Sequence, residues 1–108
     1  MSYHVDFMDA ATKDLEELDG SVKQQVYAAI LKVSKNPLPK NEGGLGNPLG
    51  NKYGNNLTGF FKIKLLKLGI RIVYELIRDD AIMKIVVIAV RTDGEVYEIA
   101  TKRIKDSK

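Results

Sequence analysis

Between Gly59 and Val90 three stretches rich in Ile, Val, Phe and Tyr follow one another, Gly59–Leu65, Ile70–Arg78 and Ala81–Val90, parted only by Lys67-Leu68-Gly69 and Asp79-Asp80. Runs of this length bounded by turn residues predict strands, and connections so short can only return the chain antiparallel, so the segment predicts two hairpins in series. The last run, Ile85-Val86-Val87-Ile88-Ala89-Val90, is apolar on both faces and predicts a central strand covered on both sides. Such a sheet needs layers over it, and the flanking segments supply helices. Tyr3 to Phe7 alternates as a short strand, and Ala11, Leu15 and Leu18 then recur at helical spacing from Asp9 to Leu18, with Asp9 as the expected N-cap. After a turn at Asp19-Gly20, Ser21 and Gln24 predict a capping box, and Val22, Val26, Ile30 and Val33 form the apolar stripe of a second helix ending before Asn36-Pro37. Thr92 and Glu95 predict another capping box, opening a short C-terminal helix whose buried stripe is Val96, Ile99, Ala100 and Ile104.

From Asn36 to Gly59 the composition changes. All three prolines and six of the nine glycines fall here, which predicts a long loop without regular structure, and a connection of that length inside a compact unit is more often functional than idle. With 108 residues, 44% of them hydrophobic, one core is affordable, and residues 1–108 read as a single domain. The expected class is α/β (α+β): a twisted, mainly antiparallel sheet with two N-terminal helices on one face, a short C-terminal helix, and an open basic face.

Several chemistries are excluded by what is missing. Cys is absent and His4 is the only histidine, so there is no disulfide framework, thiolate metal site, zinc cluster or Ser-His-Asp centre. No cofactor or metal is expected, and any reaction must use Lys, Arg, Tyr, Asp or Glu. The first residues carry no basic segment followed by an apolar one, and no apolar run approaches a membrane span, so a cytoplasmic protein is expected. The net charge of +3 permits a nucleic-acid partner without requiring one.

The placement of the charges says more than their sum. In Phe60-Phe61-Lys62-Ile63-Lys64-Leu65 strand parity sends both lysines to one face and Phe61, Ile63 and Leu65 to the other. Arg71, on the returning strand, can project beside them. Arg91 closes the third long strand, and Tyr97 lies in the opening turns of the last helix, off its apolar stripe, so that its hydroxyl need not be buried. Lys62, Lys64, Arg71, Arg91 and Tyr97 can thus meet on one patch, which suits a phosphodiester: cations hold the phosphate and stabilise the extra charge of the pentacovalent state, while the ribose 2′-OH supplies the nucleophile. Tyr and Lys titrate near pH 10 when unperturbed, and neighbouring cations favour the deprotonated form of each. The competing reading is that the three strand cations merely solvate an open sheet face, that Tyr97 packs at a helix edge and that Arg91 flanks a capped helix. Other motifs fall away. Gly44 to Gly50 has the wrong spacing for a dinucleotide fingerprint and Gly50-Asn51-Lys52-Tyr53 that for a P-loop, while Asp14, Glu16, Glu17 and Asp19 read as a solvated helix face.

Two stretches, with the order of elements, carry a family resemblance. Phe61-Lys62-Ile63-Lys64-Leu65 followed by Gly69-Ile70-Arg71-Ile72-Val73-Tyr74, and Val90-Arg91 followed by Glu95-Val96-Tyr97, resemble the RelE family of toxin-antitoxin ribonucleases over nearly the whole chain, most specifically from about Leu57 to Ile104. The resemblance implies a RelE-like fold and a metal-independent endoribonuclease (mRNA interferase) that cleaves messenger RNA in the ribosomal A site, inhibits translation, and is silenced by a cognate acidic antitoxin. The family's functional positions fall on Lys62, Lys64, Arg71, Arg91 and Tyr97. By that resemblance Tyr97 or a lysine removes the 2′-OH proton, Lys62, Lys64 and Arg71 stabilise the phosphorane, and Arg91 assists the leaving 5′-oxygen. The antitoxin is expected to cover the basic face or displace the C-terminal helix. Asp93 stands where ribosome-dependent relatives often have a basic residue, Phe61 stands where Tyr is frequent, and the segment from Pro37 to Asn56 is longer and richer in Gly. Two alternatives remain at this point: a ParE-like toxin, which shares the fold and poisons DNA gyrase, and a RelE-like RNA-binding protein that does not cleave.

Overall fold

The computed structural model describes residues 2–52 and 54–107, with the side chains of residues 51, 52 and 55 outside the description. The chain runs β1 (His4–Phe7), α1 (Asp9–Glu16), α2 (Gly20–Ser34), a single 3-10 turn at Lys40–Glu42, β2 (Asn47–Lys52), β3 (Asn55–Leu65), β4 (Ile70–Ile77), β5 (Ile82–Ala89) and α3 (Asp93–Asp106). The strands form one five-stranded sheet in the order β1-β5-β4-β3-β2. β1 pairs parallel to β5 and every other pair is antiparallel. The expected α+β architecture is therefore present, with both hairpins and β5 inside the sheet.

Helices cover both faces. Ala11, Val26 and Ile30 close one face over Phe61, Ile63, Ile72, Tyr74, Met83, Ile85 and Ile88. On the other, Val96, Tyr97 and Ala100 of α3 lie over Leu49, Leu57, Phe60, Val73, Val86 and Val87. This corrects the expectation of an open second face: α3 occupies most of it, and only the end near the β3–β4 turn carries charge. A bulge explains how β5 serves both layers. Val73 pairs with Val87 but Tyr74 pairs with Ile85, so Val86 is an extra residue, and Val86 and Val87 both face α3 while Ile85 and Ile88 face the N-terminal helices.

The Gly/Pro-rich segment is not the irregular loop its composition predicts, because it contains the 3-10 turn, all of β2 and the first turn of pairing in β3. β2 is an edge strand, the part of a sheet that tolerates proline, and Pro48 sits there opposite Phe61. The register slips between Pro48 and Gly50, opposite Gly59, whose φ of 88° belongs to the left-handed region that glycine adopts freely. The preceding stretch is tied to the core by Tyr74, whose hydroxyl donates to the Pro37 carbonyl at 2.9 Å while its ring stacks on Phe61 at 5.1 Å. Gly46 lies so close that a Cβ there would stand 2.7 Å from the Tyr74 hydroxyl oxygen.

Two helix starts differ from expectation. Met8, not Asp9, holds the N-cap position of α1, and Asp9 lies in its first turn. Asp19 holds that of α2, which places Ser21 inside the helix, and neither cap residue makes a side-chain bond, so no Ser21–Gln24 box forms. α1 also stops at Glu16, short of Leu18, although Leu15 and Leu18 pack on the core as their spacing suggests. The box of α3 forms as expected: the Glu95 N–H donates to Thr92 Oγ1 at 3.4 Å and the Thr92 N–H to Glu95 Oε1 at 3.3 Å. Among the described residues no helix is long and apolar enough to cross a membrane.

Candidate functional site

The face under α3 changes character along its strands. Phe60 on β3 and Val73 on β4 are buried in the apolar cluster, and towards the Leu65–Ile70 turn the same face presents Lys62, Lys64 and Arg71. Lys64 pairs directly with Arg71 and Lys62 with Val73 in the antiparallel register. Cross-strand partners stand about 5 Å apart at Cβ, so the Lys64 and Arg71 stems leave the sheet side by side. Register and parity thus place Lys64 beside Arg71, with Lys62 on the same face two residues along β3.

Arg91 joins them through the backbone. Its carbonyl accepts from Arg71 Nη1 at 2.8 Å, which fixes the β5–α3 junction against β4. Its own guanidinium lies 3.8 Å from Glu95 one turn on, and both side chains are exposed. A shallow cleft of about 410 Å³ runs here, lined by Gly69, Arg71, Val90, Arg91, Thr92 and Glu95.

Tyr97 is where the reading needs correction. It is 2% exposed and enclosed in the cluster beneath α3, so the hydroxyl that helical spacing left free to escape burial belongs to a buried side chain. The stripe predicted from Val96, Ile99 and Ala100 is rolled by one position: Val96, Tyr97 and Ala100 are buried, while Ile99 is only partly so. Asp93, Tyr97, Ala100 and Ile104 follow each other at helical spacing, so Tyr97 lies one turn below Asp93 on the side of α3 that meets the sheet.

Asp93, which the sequence does not single out as a site residue, is a further member of the cluster. Its carboxylate accepts from Lys64 Nζ at 2.9 Å and from Arg71 Nε. Partial burial works to raise its pKa, but the hydrogen bonds and charges of Lys64 and Arg71 outweigh that and hold the carboxyl below the usual carboxylate range. The cations are therefore not surrounded by empty solvent, and the start of α3 presents two acidic side chains, Asp93 and Glu95, to them. The signal was available: two acids in the first turn of a capped helix complement its dipole and are expected to point at whatever cations lie nearby. Among the described residues no group of three or more His, Asp or Glu side chains is arranged to hold a metal ion.

No protein-family model matches the chain. Individual relatives do. The mRNA interferase toxin RelE of Escherichia coli strain K12 is 29% identical over 107 residues, covering 96% of this chain and 99% of that one. Among solved structures, an E. coli RelE mutant in the free state superposes with a TM-score of 0.76 at 28% identity, over 96% of this chain and 99% of the other. A RelE mutant in complex with a peptide of the antitoxin RelB gives 0.69 at 27%, over 95% and 98%. Sequence and fold agree across almost the full length of both partners, and the chain is similar in both to the RelE toxins.

Proposed function

We propose that this chain is a toxin that cleaves messenger RNA on the ribosome, and that Lys62, Lys64, Arg71, Arg91 and Tyr97 form its active site. The observation that carries the reading is the Lys64–Arg71 cross-strand pair, set beside the N-terminus of α3 and the Arg91 junction. An ammonium, a forked guanidinium and a helix N-terminus converge there, and each favours a phosphate group.

The chemistry follows from these groups. Tyr97 or a lysine of the cluster takes the 2′-OH proton, the 2′-oxygen attacks the adjacent phosphorus, and the bond from phosphorus to the 5′-oxygen breaks. Lys62, Lys64 and Arg71 stabilise the pentacovalent state, and Arg91 offsets charge on the departing 5′-oxygen, which is protonated from water. The products are a 2′,3′-cyclic phosphate and a 5′-hydroxyl, and no step needs a metal ion. Tyr97 is packed beneath α3, so it can act as the base only if α3 shifts on the ribosome, whereas the lysines need no such movement; in-line alignment of the substrate there is worth several powers of ten in rate. A cognate acidic antitoxin is the expected silencing partner, as the complex of E. coli RelE with a RelB peptide suggests.

Induction in cells followed by mapping of messenger RNA 5′ ends tests the reading. Breaks inside translated codons support it. Intact messenger RNA with DNA-damage signalling would replace it with a gyrase poison.

A further inference from the structure

We infer that Asp93 is a built-in stand-in for the substrate phosphate: its carboxylate holds the anion position between Lys64 and Arg71, and an RNA phosphodiester must displace it to bind there. The inference rests on the nucleic-acid reading given under the proposed function.

The geometry is that of anion recognition. One carboxylate oxygen takes the Lys64 ammonium at 2.9 Å and the other takes Arg71 Nε, so a group of charge −1 with two acceptor oxygens bridges both cations. A phosphodiester presents the same charge and two non-bridging oxygens to the same donors. The position also lies in the first turn of α3, where the helix N-terminus favours either anion. A phosphate in place of Asp93 would stand one helical turn from Tyr97, on the side of α3 that meets the sheet.

Two other roles for Asp93 give different expectations. A general base needs appreciable proton affinity, and a carboxyl held down by two cations has little of it. A strut that merely keeps Lys64 and Arg71 in place would be required for binding, so its removal would weaken RNA affinity. The local structure favours displacement over either. Thr92 and Glu95 cap α3 without help from Asp93, Arg71 keeps its bond to the Arg91 carbonyl, and the Asp93 side chain is 22% exposed, so it can rotate out without unwinding the helix.

The test is binding of a short, fully 2′-O-methylated single-stranded RNA to the wild-type chain, Asp93→Asn and Asp93→Ser over a salt series, with thermal melting to verify that each is folded. Removing the competing carboxylate is expected to tighten binding about tenfold at low salt. The dependence of log affinity on log salt should steepen by about 0.7, one further phosphate contact's worth of counterion release. In an Arg71→Ala background the gain from Asp93→Asn should shrink, because the two sites are coupled. Unchanged or weaker binding by both folded variants overturns the inference, and weaker binding makes Asp93 a strut. Cleavage on programmed ribosomes, run in parallel, separates this from the ribonuclease reading. Tighter binding with no cutting by any variant upholds the displaced anion and removes the nuclease, and cutting by the wild-type chain with unchanged binding does the reverse.

Discussion

The two faces of this sheet carry cores of similar kind and differ in how they end. Under α1 and α2 the buried side chains are apolar or aromatic, and the layer closes around the stacked Phe61–Tyr74 pair. Under α3 the apolar cluster gives way, within two residues along β3 and β4, to Lys62, Lys64 and Arg71. The first face can be summarised by burial alone. The second cannot, because its charges are held in place by the same strands and helix that bury Tyr97. Substitutions on the first should therefore cost stability without touching chemistry, and substitutions at the charged end of the second should do the opposite.

The largest expected effect is at Arg71. If Arg71 clamps the phosphate as proposed, Arg71→Ala should lower the single-turnover cleavage rate on the order of a thousandfold. The side chain is 27% exposed and its ion pair is partly solvated, so stability should change by less than about 1 kcal/mol in denaturant titration. Ile72, its neighbour, points to the other face and is fully buried. Ile72→Ala should cost about 2–5 kcal/mol while leaving the rate per folded molecule unchanged. If Ile72→Ala slowed cleavage as much as Arg71→Ala, the division between the faces would fail.

A smaller effect tests what holds α3 down. Where β1 stops at Phe7, Asp14 of α1 accepts from the Ile88 N–H at 3.0 Å and from Arg103 of α3 at 2.6 Å, and Arg103 also donates to the Val86 carbonyl at 2.9 Å. This pair fastens the far end of α3 to the layer beneath the other face. Arg103→Ala should cost about 1–2 kcal/mol and raise hydrogen exchange in the C-terminal half of α3 before its capped first turn. Equal protection of both halves would show that the apolar cluster alone anchors the helix.

How much of this could be read from the sequence depended on which rule governs each element. The shared face of Lys62 and Lys64 was legible, because alternation fixes parity, while the pairing of Lys64 with Arg71 came only with the register of the hairpin. So was the Thr92–Glu95 box, a local pattern that no distant contact opposes. β2 was not, since Pro48 and Gly50 suggest a loop unless the strand is known to lie at the sheet edge. Nor was the bulge at Val86, which depends on pairing rather than composition. The burial of Tyr97 was missed because helical spacing gives the width of an apolar stripe but not its roll, and α3 turns one position further onto the sheet than Ile99 suggested.

The smallest expected effect is on acid stability. The Asp93 carboxyl is held below its ordinary range, so the stabilisation from its pairs is fully present above an unfolded-state pKa of about 3.9 and is lost as pH falls through the lower folded value. Asp93→Asn should flatten the acid limb of the stability curve below about pH 4 without moving its neutral plateau by more than about 1 kcal/mol. Arg78 and Thr92 hold Glu42 and Glu95 low in the same way, so a residual acid slope should persist in the variant.

The central claim, that the charged end of the α3 face cleaves RNA through its own 2′-OH, is tested most directly by single-turnover cutting of messenger RNA on programmed ribosomes, with the product ends identified and chelator present. The account predicts a 2′,3′-cyclic phosphate upstream and a 5′-hydroxyl downstream, no reaction when the target ribose is 2′-deoxy or 2′-O-methyl, and a slower rate with near-normal ribosome association for Tyr97→Phe. Products ending in a 5′-phosphate, or efficient cutting of the 2′-deoxy substrate, would contradict it.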